Sequence, residues 1–200
     1  MRKILTFIIF PVIIVVAGYL VVTSVKKPVD FNKEKEKREA VAIQRLKDIR
    51  DLEVAFRSTY GKYTASIDSL IDFYNNGQIV IIRQIGSMDD SAAVANKLVR
   101  RDSIKINVKD TLFQREGFVL EDLRTIPFSN GKPIILKEAI KIVSGVSVPL
   151  FEAAMPYDDL LTGMDRQLII NFKAERRDMN KYEGLKVGSI DAPNNNAGNW

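Results

Sequence analysis

Three aspartates lie close together in the second half of the chain and are the side chains best suited to hold a metal ion. Asp158, Asp159 and Asp165 surround Gly163. Carboxylate oxygens are the ligands that Ca²⁺ prefers in proteins. Their spacing does not match an EF-hand loop, and aspartates are also frequent in turns because they hydrogen-bond the local backbone. We therefore predict no metal site and no cofactor.

Histidine and cysteine are both absent from the 200-residue sequence. Their absence excludes Ser-His and Cys-His catalysis, haem bound through histidine, and the usual structural zinc sites. Serines and lysines are present, but no pair of them forms a recognisable Ser-Lys motif. We therefore predict that the protein is not an enzyme and has no catalytic residues.

Four triplets of the form Asp-Ser/Thr-apolar occur in the sequence. Their hydroxyl residues are Ser69, Ser91, Ser103 and Thr111. The triplet resembles the O-glycosylation sequon of envelope proteins of Bacteroidota, and this resemblance implies sugar on an exported surface. The alternative is that Asp-Ser pairs cap helices and form turns.

The N-terminal segment combines a basic start with a long uncharged run. Arg2 and Lys3 precede an apolar stretch over residues 4–22. A helix of this length crosses the hydrocarbon core of a bilayer, about 30 Å thick. We expect residues 1–27 to form a single-pass transmembrane anchor in contact with lipid. The alternative is a signal peptide cleaved near Ser24.

The orientation of the anchor follows from the basic residues around it. Arg2 and Lys3 favour a cytoplasmic N-terminus, whereas Lys26, Lys27 and the lysines that follow favour the opposite arrangement. Because a basic tail followed directly by an apolar run is how exported chains begin, we expect a bacterial inner-membrane protein with a periplasmic C-terminal domain, although a cytoplasmic domain stays open. Much of the net charge of +5 is juxtamembrane, so nucleic-acid binding is not predicted.

Residues 28–62 have the pattern of a stalk helix. The charged run Asn32–Glu39 predicts a solvent-exposed helix. This helix could continue the membrane helix, although Pro28 is expected to interrupt the two. Apolar residues then recur at steps of three and four up to Gly61, which is typical of one helix face. This face, either core or an interaction surface, consists of Ile43, Leu46, Ile49, Leu52, Phe56 and Tyr60.

Residues 63–190 predict an α+β domain with an antiparallel sheet, and the polar residues 191–200 predict a disordered tail. Ser66 fits the N-cap of a short helix. Asn130-Gly131, between apolar runs, predicts a hairpin turn. A second helix is expected over 89–101, and strands are expected over 78–85, 103–108, 123–128, 134–143, 146–154, 167–173 and 185–190.

The order of these parts resembles a type IV pilin or pseudopilin. Ile49–Leu52 through Tyr60–Thr64 looks like the end of the long pseudopilin helix, and Ile67–Phe73 looks like the small helix that follows it. The resemblance implies a subunit that polymerises through its N-terminal helix. Two pilin features are missing, because no glycine precedes Ile4 and no glutamate lies near the start of the apolar run.

The chain as a whole, which ends in Ala197-Gly198-Asn199-Trp200, resembles single-pass envelope proteins of Bacteroidota. We therefore expect a membrane-anchored structural or interaction component of a bacterial envelope assembly, with other envelope proteins or itself as partners. One alternative is a pseudopilin-like polymerising subunit. Another is a secreted periplasmic binding module that is released by cleavage near Ser24.

Overall fold

The computed structural model describes the backbone of residues 10–85 and 100–200 and the side chains of residues 10–82 and 103–200. Most of the helix predicted over 89–101 lies outside these residues, and so does Ser91. The elements in chain order are α1 (Phe10–Tyr60), α2 (Ile67–Asn76), β1 (Gln78–Ile85), β2 (Arg100–Asn107), α3 (Val108–Thr111), a 3₁₀ helix (Leu120–Arg124), β3 (Ile135–Val143), β4 (Val146–Pro156), α4 (Tyr157–Leu160), α5 (Arg166–Asp178) and β5 (Gly184–Gly188).

The first element, α1, is a single helix of 51 residues that includes Pro28. The predicted interruption at this proline is therefore wrong. Proline removes one backbone hydrogen bond and crowds the preceding turn, but helix formation is cooperative and the long helical segments on both sides offset this local cost. Within the described residues, α1 is the helix that is long and apolar enough to cross a membrane, a property that a signal sequence near the N-terminus would share.

The two halves of α1 have different surroundings. Up to Asp30 nearly every side chain of the helix is exposed, whereas Phe31 and many residues after it are buried in the domain. Ala42, Leu46 and Leu52 are among the completely buried side chains. The second half of α1 is therefore the central helix of the domain core.

Three antiparallel strands, in the order β3-β4-β5, form the larger sheet. The inward face of β4, which includes Phe151, Ala153 and Met155, is fully buried, as is Val187 of β5. β1 and β2 form a separate antiparallel pair, with Ile81 opposite Ile104. The chain is thus a mixture of helices and antiparallel sheets with a long apolar N-terminal helix, which confirms the predicted class at this level.

The predicted hairpin around Asn130-Gly131 is a tight turn that lacks two full strands. Asn130 and Gly131 have φ values of 57° and 87°, and the only pairing across the turn is the bridge between Thr125 and Pro133. The strand predicted over 123–128 is wrong, because its first residues complete the 3₁₀ helix. Arg45 of α1 donates to the Thr125 carbonyl over 2.7 Å, so a tertiary contact occupies a backbone group that a sheet would need.

The segment predicted as a strand over 167–173 is part of helix α5. Asp165 caps this helix, and its Oδ1 accepts hydrogen bonds from the backbone N–H of Gln167 and Leu168 at 3.0 and 3.2 Å. Ile169 is buried and Ile170 is 48% exposed. A short apolar run fits either element, and the capping aspartate favours the helix.

Residues at the C-terminal end of the segment 191–200, which is predicted to be a disordered tail, contact the sheet. Gly198 forms a bridge with Val187 of β5. The Asn199 side chain accepts a hydrogen bond from the Lys186 N–H at 2.9 Å and donates to the Gly184 carbonyl at 3.0 Å. Asparagine has both a donor and an acceptor, so one side chain continues the hydrogen-bonding pattern of a strand edge.

Candidate interaction surfaces

The apolar face predicted on the stalk helix lies inside the domain. Leu46, Ile49 and Leu52 are completely buried, and Ile43 and Phe56 pack at the edge of the same core. Tyr60, the last member of the face, is 56% exposed and its ring lies 4.6 Å from that of Phe56. The five side chains from Ile43 to Phe56 therefore stabilise the fold and are not a free interaction surface, whereas Tyr60 is exposed at the end of the helix.

Part of the charged run predicted to be solvent-exposed forms the junction between α1 and the domain, while Asn32, Lys33, Glu36 and Lys37 are exposed. Arg38 donates to the carbonyl oxygens of Leu160 and Thr162, at 3.3 and 2.9 Å. The ammonium of Lys35 lies 4.0 Å from the centre of the Phe172 ring. These contacts involve charged or polar groups that periodicity alone would assign to solvent.

Tyr157 and Glu39 complete this junction. The Tyr157 hydroxyl donates to Glu39 Oε1 over 2.7 Å, and the tyrosine is almost fully buried. Burial raises the pKa of Tyr157 above its ordinary value, and the hydrogen bond to the Glu39 carboxylate raises this pKa further. The phenol therefore stays protonated and continues to donate at neutral pH.

Glu53 is a buried carboxyl group on the core side of α1. Its Oε2 accepts the backbone N–H of Thr64 at 3.2 Å, while its Oε1 has no hydrogen-bond partner among the described residues. Burial raises the pKa of Glu53 to about 8, and the nearby charge of Glu138 also raises this pKa, against the opposing effect of the Thr64 hydrogen bond. At pH 7 this side chain is mainly a neutral acid.

An open cleft of about 380 Å³ lies between α1 and the segment around Arg115. Arg115 donates to both carboxylate oxygens of Asp48, and Gln44 donates to Asp48 Oδ1 over 3.1 Å. Arg45 binds Asp122 over 2.9 Å. These charged residues of the cleft therefore pair with one another and have a structural role. The sequence pattern did not indicate these pairs.

The three aspartates considered as metal ligands have separate roles. Asp158 pairs with Lys173, and Asp159 pairs with Lys132. Asp165 is the cap of α5. Among the described side chains, those of residues 10–82 and 103–200, no group of three acidic residues has the geometry to hold a metal ion.

The described hydroxyl residues of the four triplets lie on different elements. Ser69 is half-buried in the first turn of α2, while Ser103 on β2 and Thr111 on α3 are exposed. The Thr111 hydroxyl donates to the Asn107 carbonyl over 3.3 Å. Exposure at Ser103 and Thr111 is compatible with modification, and glycosylation stays a prediction.

Aliphatic side chains that sequence reasoning did not single out are exposed on the two hairpins. Ile140 and Ile142 of β3 are 69% and 79% exposed. The rings of Tyr63 and Phe151 lie 4.8 Å apart, and Ile140 lines a cleft with Lys62 and Tyr63. Ile140 therefore lies near the residues that follow the C-terminal end of α1. The β1-β2 hairpin begins at the same end, since the Thr59 hydroxyl donates to the Gln78 carbonyl over 3.4 Å. We call Ile140 and Ile142, which lie on one face of β3, the distal patch.

Comparisons with protein-family models, with curated proteins and with solved structures find no match for this chain. The function therefore has to be inferred from the residues and surfaces described above. The strongest of these are the uncovered first half of α1, the junction around Arg38 and Tyr157, and the distal patch.

Proposed function

We propose that this protein is a single-pass inner-membrane component of a bacterial envelope assembly. Its domain, which we call the head, is periplasmic and non-enzymatic in this proposal. The observation that carries the proposal is the change of surroundings along α1, whose apolar first half is uncovered while its second half is the core of the head. Soluble monomeric proteins rarely expose an apolar surface of this extent to water. In a bilayer the same surface contacts lipid chains, and the helix satisfies its own backbone hydrogen bonds. The head is then joined to the bilayer by one unbroken helix.

The partner surface in this proposal is the distal patch. Exposed aliphatic side chains at the end of the head farthest from the apolar half of α1 are accessible to another envelope protein or to a second copy. Hairpin ends that carry exposed apolar residues are unusual on a protein without a partner. Natural sheets usually place charged residues or prolines at exposed edges, and these residues prevent association with other chains.

The first experiment determines the intact mass and the N-terminal sequence of the protein from isolated envelopes, together with extraction by alkaline carbonate. We expect an unprocessed chain that stays with the membrane. A chain that begins near Val25 and is released by carbonate would refute the anchor and would favour the secreted binding module. Hexose-sized mass increments would support the predicted glycosylation.

The second experiment tests orientation and partner together. The sequence has no cysteine, so a single cysteine at Ser147 on the exposed start of β4 is a unique label. We expect an impermeant maleimide to modify S147C in intact spheroplasts. A photo-crosslinker at Ile142 should capture a partner, and the same group at the exposed Lys181 should not.

A second candidate is a pseudopilin-like subunit. The observation that favours it is that one long helix carries an antiparallel three-stranded sheet on its C-terminal half, with an uncovered apolar half that neighbouring subunits could bury. Removal of the N-terminal residues by a prepilin-type peptidase would support this candidate. A mature protein that retains Met1 would count against it.

A further inference from the structure

The part of the head nearest the apolar half of α1 is the turn before α5 and the first turn of that helix. Met164, Asp165 and Leu168 line a shallow cleft together with four residues of α1, which are Lys27, Asp30, Phe31 and Glu34. Farther along α1, Lys35 contacts Phe172 and Arg38 contacts Leu160. The surface formed by residues 163–167 is therefore the base of the head.

The helical rise decides how far this base lies from a bilayer. The last apolar residue before Lys26 is Val25, and the rise from Val25 to Phe31 is about 9 Å at about 1.5 Å per residue. The polar layer on each side of the hydrocarbon core is about 5–7 Å thick. A head that begins at Phe31 and reaches back to Lys27 therefore leaves no solvent gap between its base and the head groups.

The charges at the base suit phosphate groups. Arg166 is exposed at the start of α5, and Lys26 and Lys27 are exposed on α1. Arginine binds phosphate through two parallel N–H donors, and lysines beside a membrane are attracted to anionic lipid. Three acidic residues line the same cleft. Asp165 already accepts two backbone N–H groups as the cap of α5, Glu34 pairs with Arg38, and Asp30 is exposed.

We propose that the base of the head, residues 163–167, lies in the lipid head-group layer, where Arg166 binds phospholipid phosphate beside Lys26 and Lys27. This proposal rests on the anchor proposed above and adds a second contact with the bilayer. The domain is then held against the membrane at two places, α1 and the base. These two contacts together restrict its tilt relative to the bilayer.

The test uses the full chain in vesicles of phosphatidylethanolamine and phosphatidylglycerol, with one nitroxide label at a time. The labels are attached to cysteines at Gln167 in the base, Ser147 near the distal end and Val16 in the apolar half of α1. Collision rates with oxygen and with a water-soluble nickel chelate give the depth of each label. We expect the nickel collision rate at Q167C to be severalfold lower than at S147C.

The three labels separate the two proposals. A V16C label in hydrocarbon together with a Q167C label as accessible to nickel as S147C would overturn the base contact and leave the anchor intact. A V16C label exposed to water would overturn the anchor itself. Arg166→Glu should raise nickel access at Q167C severalfold, and the distal Lys62→Glu should not. An unchanged signal in R166E would refute the role assigned to Arg166.

Discussion

Replacing Glu53 with glutamine should abolish a pH dependence of stability that one buried carboxyl group creates. The folded protein holds the Glu53 proton up to a pKa of about 8, whereas an unperturbed glutamate has a value of 4.5. Unfolding at neutral pH therefore releases a proton. Because the folded state binds more protons, the free energy of unfolding falls as pH rises between these two values.

The magnitude follows from the pKa difference. Each pKa unit is worth about 1.4 kcal/mol. Between pH 4.5 and pH 7 the wild-type protein should therefore lose about 3 kcal/mol of stability through Glu53 alone, which is a large share of the total for a domain of this size. Well above pH 8 both states are ionised and this contribution no longer changes.

The assay is urea unfolding of the full chain in detergent micelles at several pH values from 5 to 8.5. The wild-type midpoint should fall across this range. The loss in the free energy of unfolding between acidic pH and pH 7 should be about 3 kcal/mol smaller in E53Q than in the wild-type protein. Glu175→Gln, at an exposed position of α5, is the matched control and should keep the wild-type slope. A wild-type slope in E53Q would refute the reasoning.

Three further substitutions test the core, the junction and the cleft by thermal or urea unfolding. Leu46→Ala should cost about 2–5 kcal/mol because it leaves a cavity in the core, whereas Val54→Ala on the exposed side of α1 should change stability by less than about 0.5 kcal/mol. Tyr157→Phe should cost about 1–2 kcal/mol, because it removes the donor to Glu39. Arg115→Ala should cost about 3 kcal/mol, because it leaves the buried Asp48 carboxylate without its cation.

Each of these has its own contrary result. Equal effects of L46A and V54A would mean that the apolar stripe faces a partner instead of the core. A neutral Y157F would show that the junction is held by Arg38 and Lys35. An R115A variant whose loss of stability disappears in the double variant with Asp48→Asn would support the ion pair, and additive losses would contradict it.

The sequence predicts elements well where a single local signal dominates. The stripe from Ile43 to Phe56 fixes the buried side of α1, Ser66 fixes the start of α2, and the β-branched run at Gln78–Ile85 fixes β1. Each of these patterns has a direct physical cause within one element.

Errors occur where two local signals compete or where tertiary contacts decide. The segment 167–173 is apolar enough for a strand, but the Asp165 cap and the packing of Ile169 make it helical. Pro28 does not end α1, because the helix continues on both sides. The roles of Arg38 and Glu39 could not be predicted, since their partners lie on α4 and in the turn after it, more than a hundred residues away in the chain.

The continuity of α1 through Pro28 fixes the angular position of the head as well as its height. Each residue of an α-helix advances the direction of a side chain by about 100°, and the rise from Phe31 to Tyr60 is about 44 Å. In the proposed membrane arrangement, one residue inserted between Lys26 and Asp30 would turn the whole head about the membrane normal and change its height only slightly. The number of residues in that short segment therefore determines the direction in which the distal patch faces around the anchor.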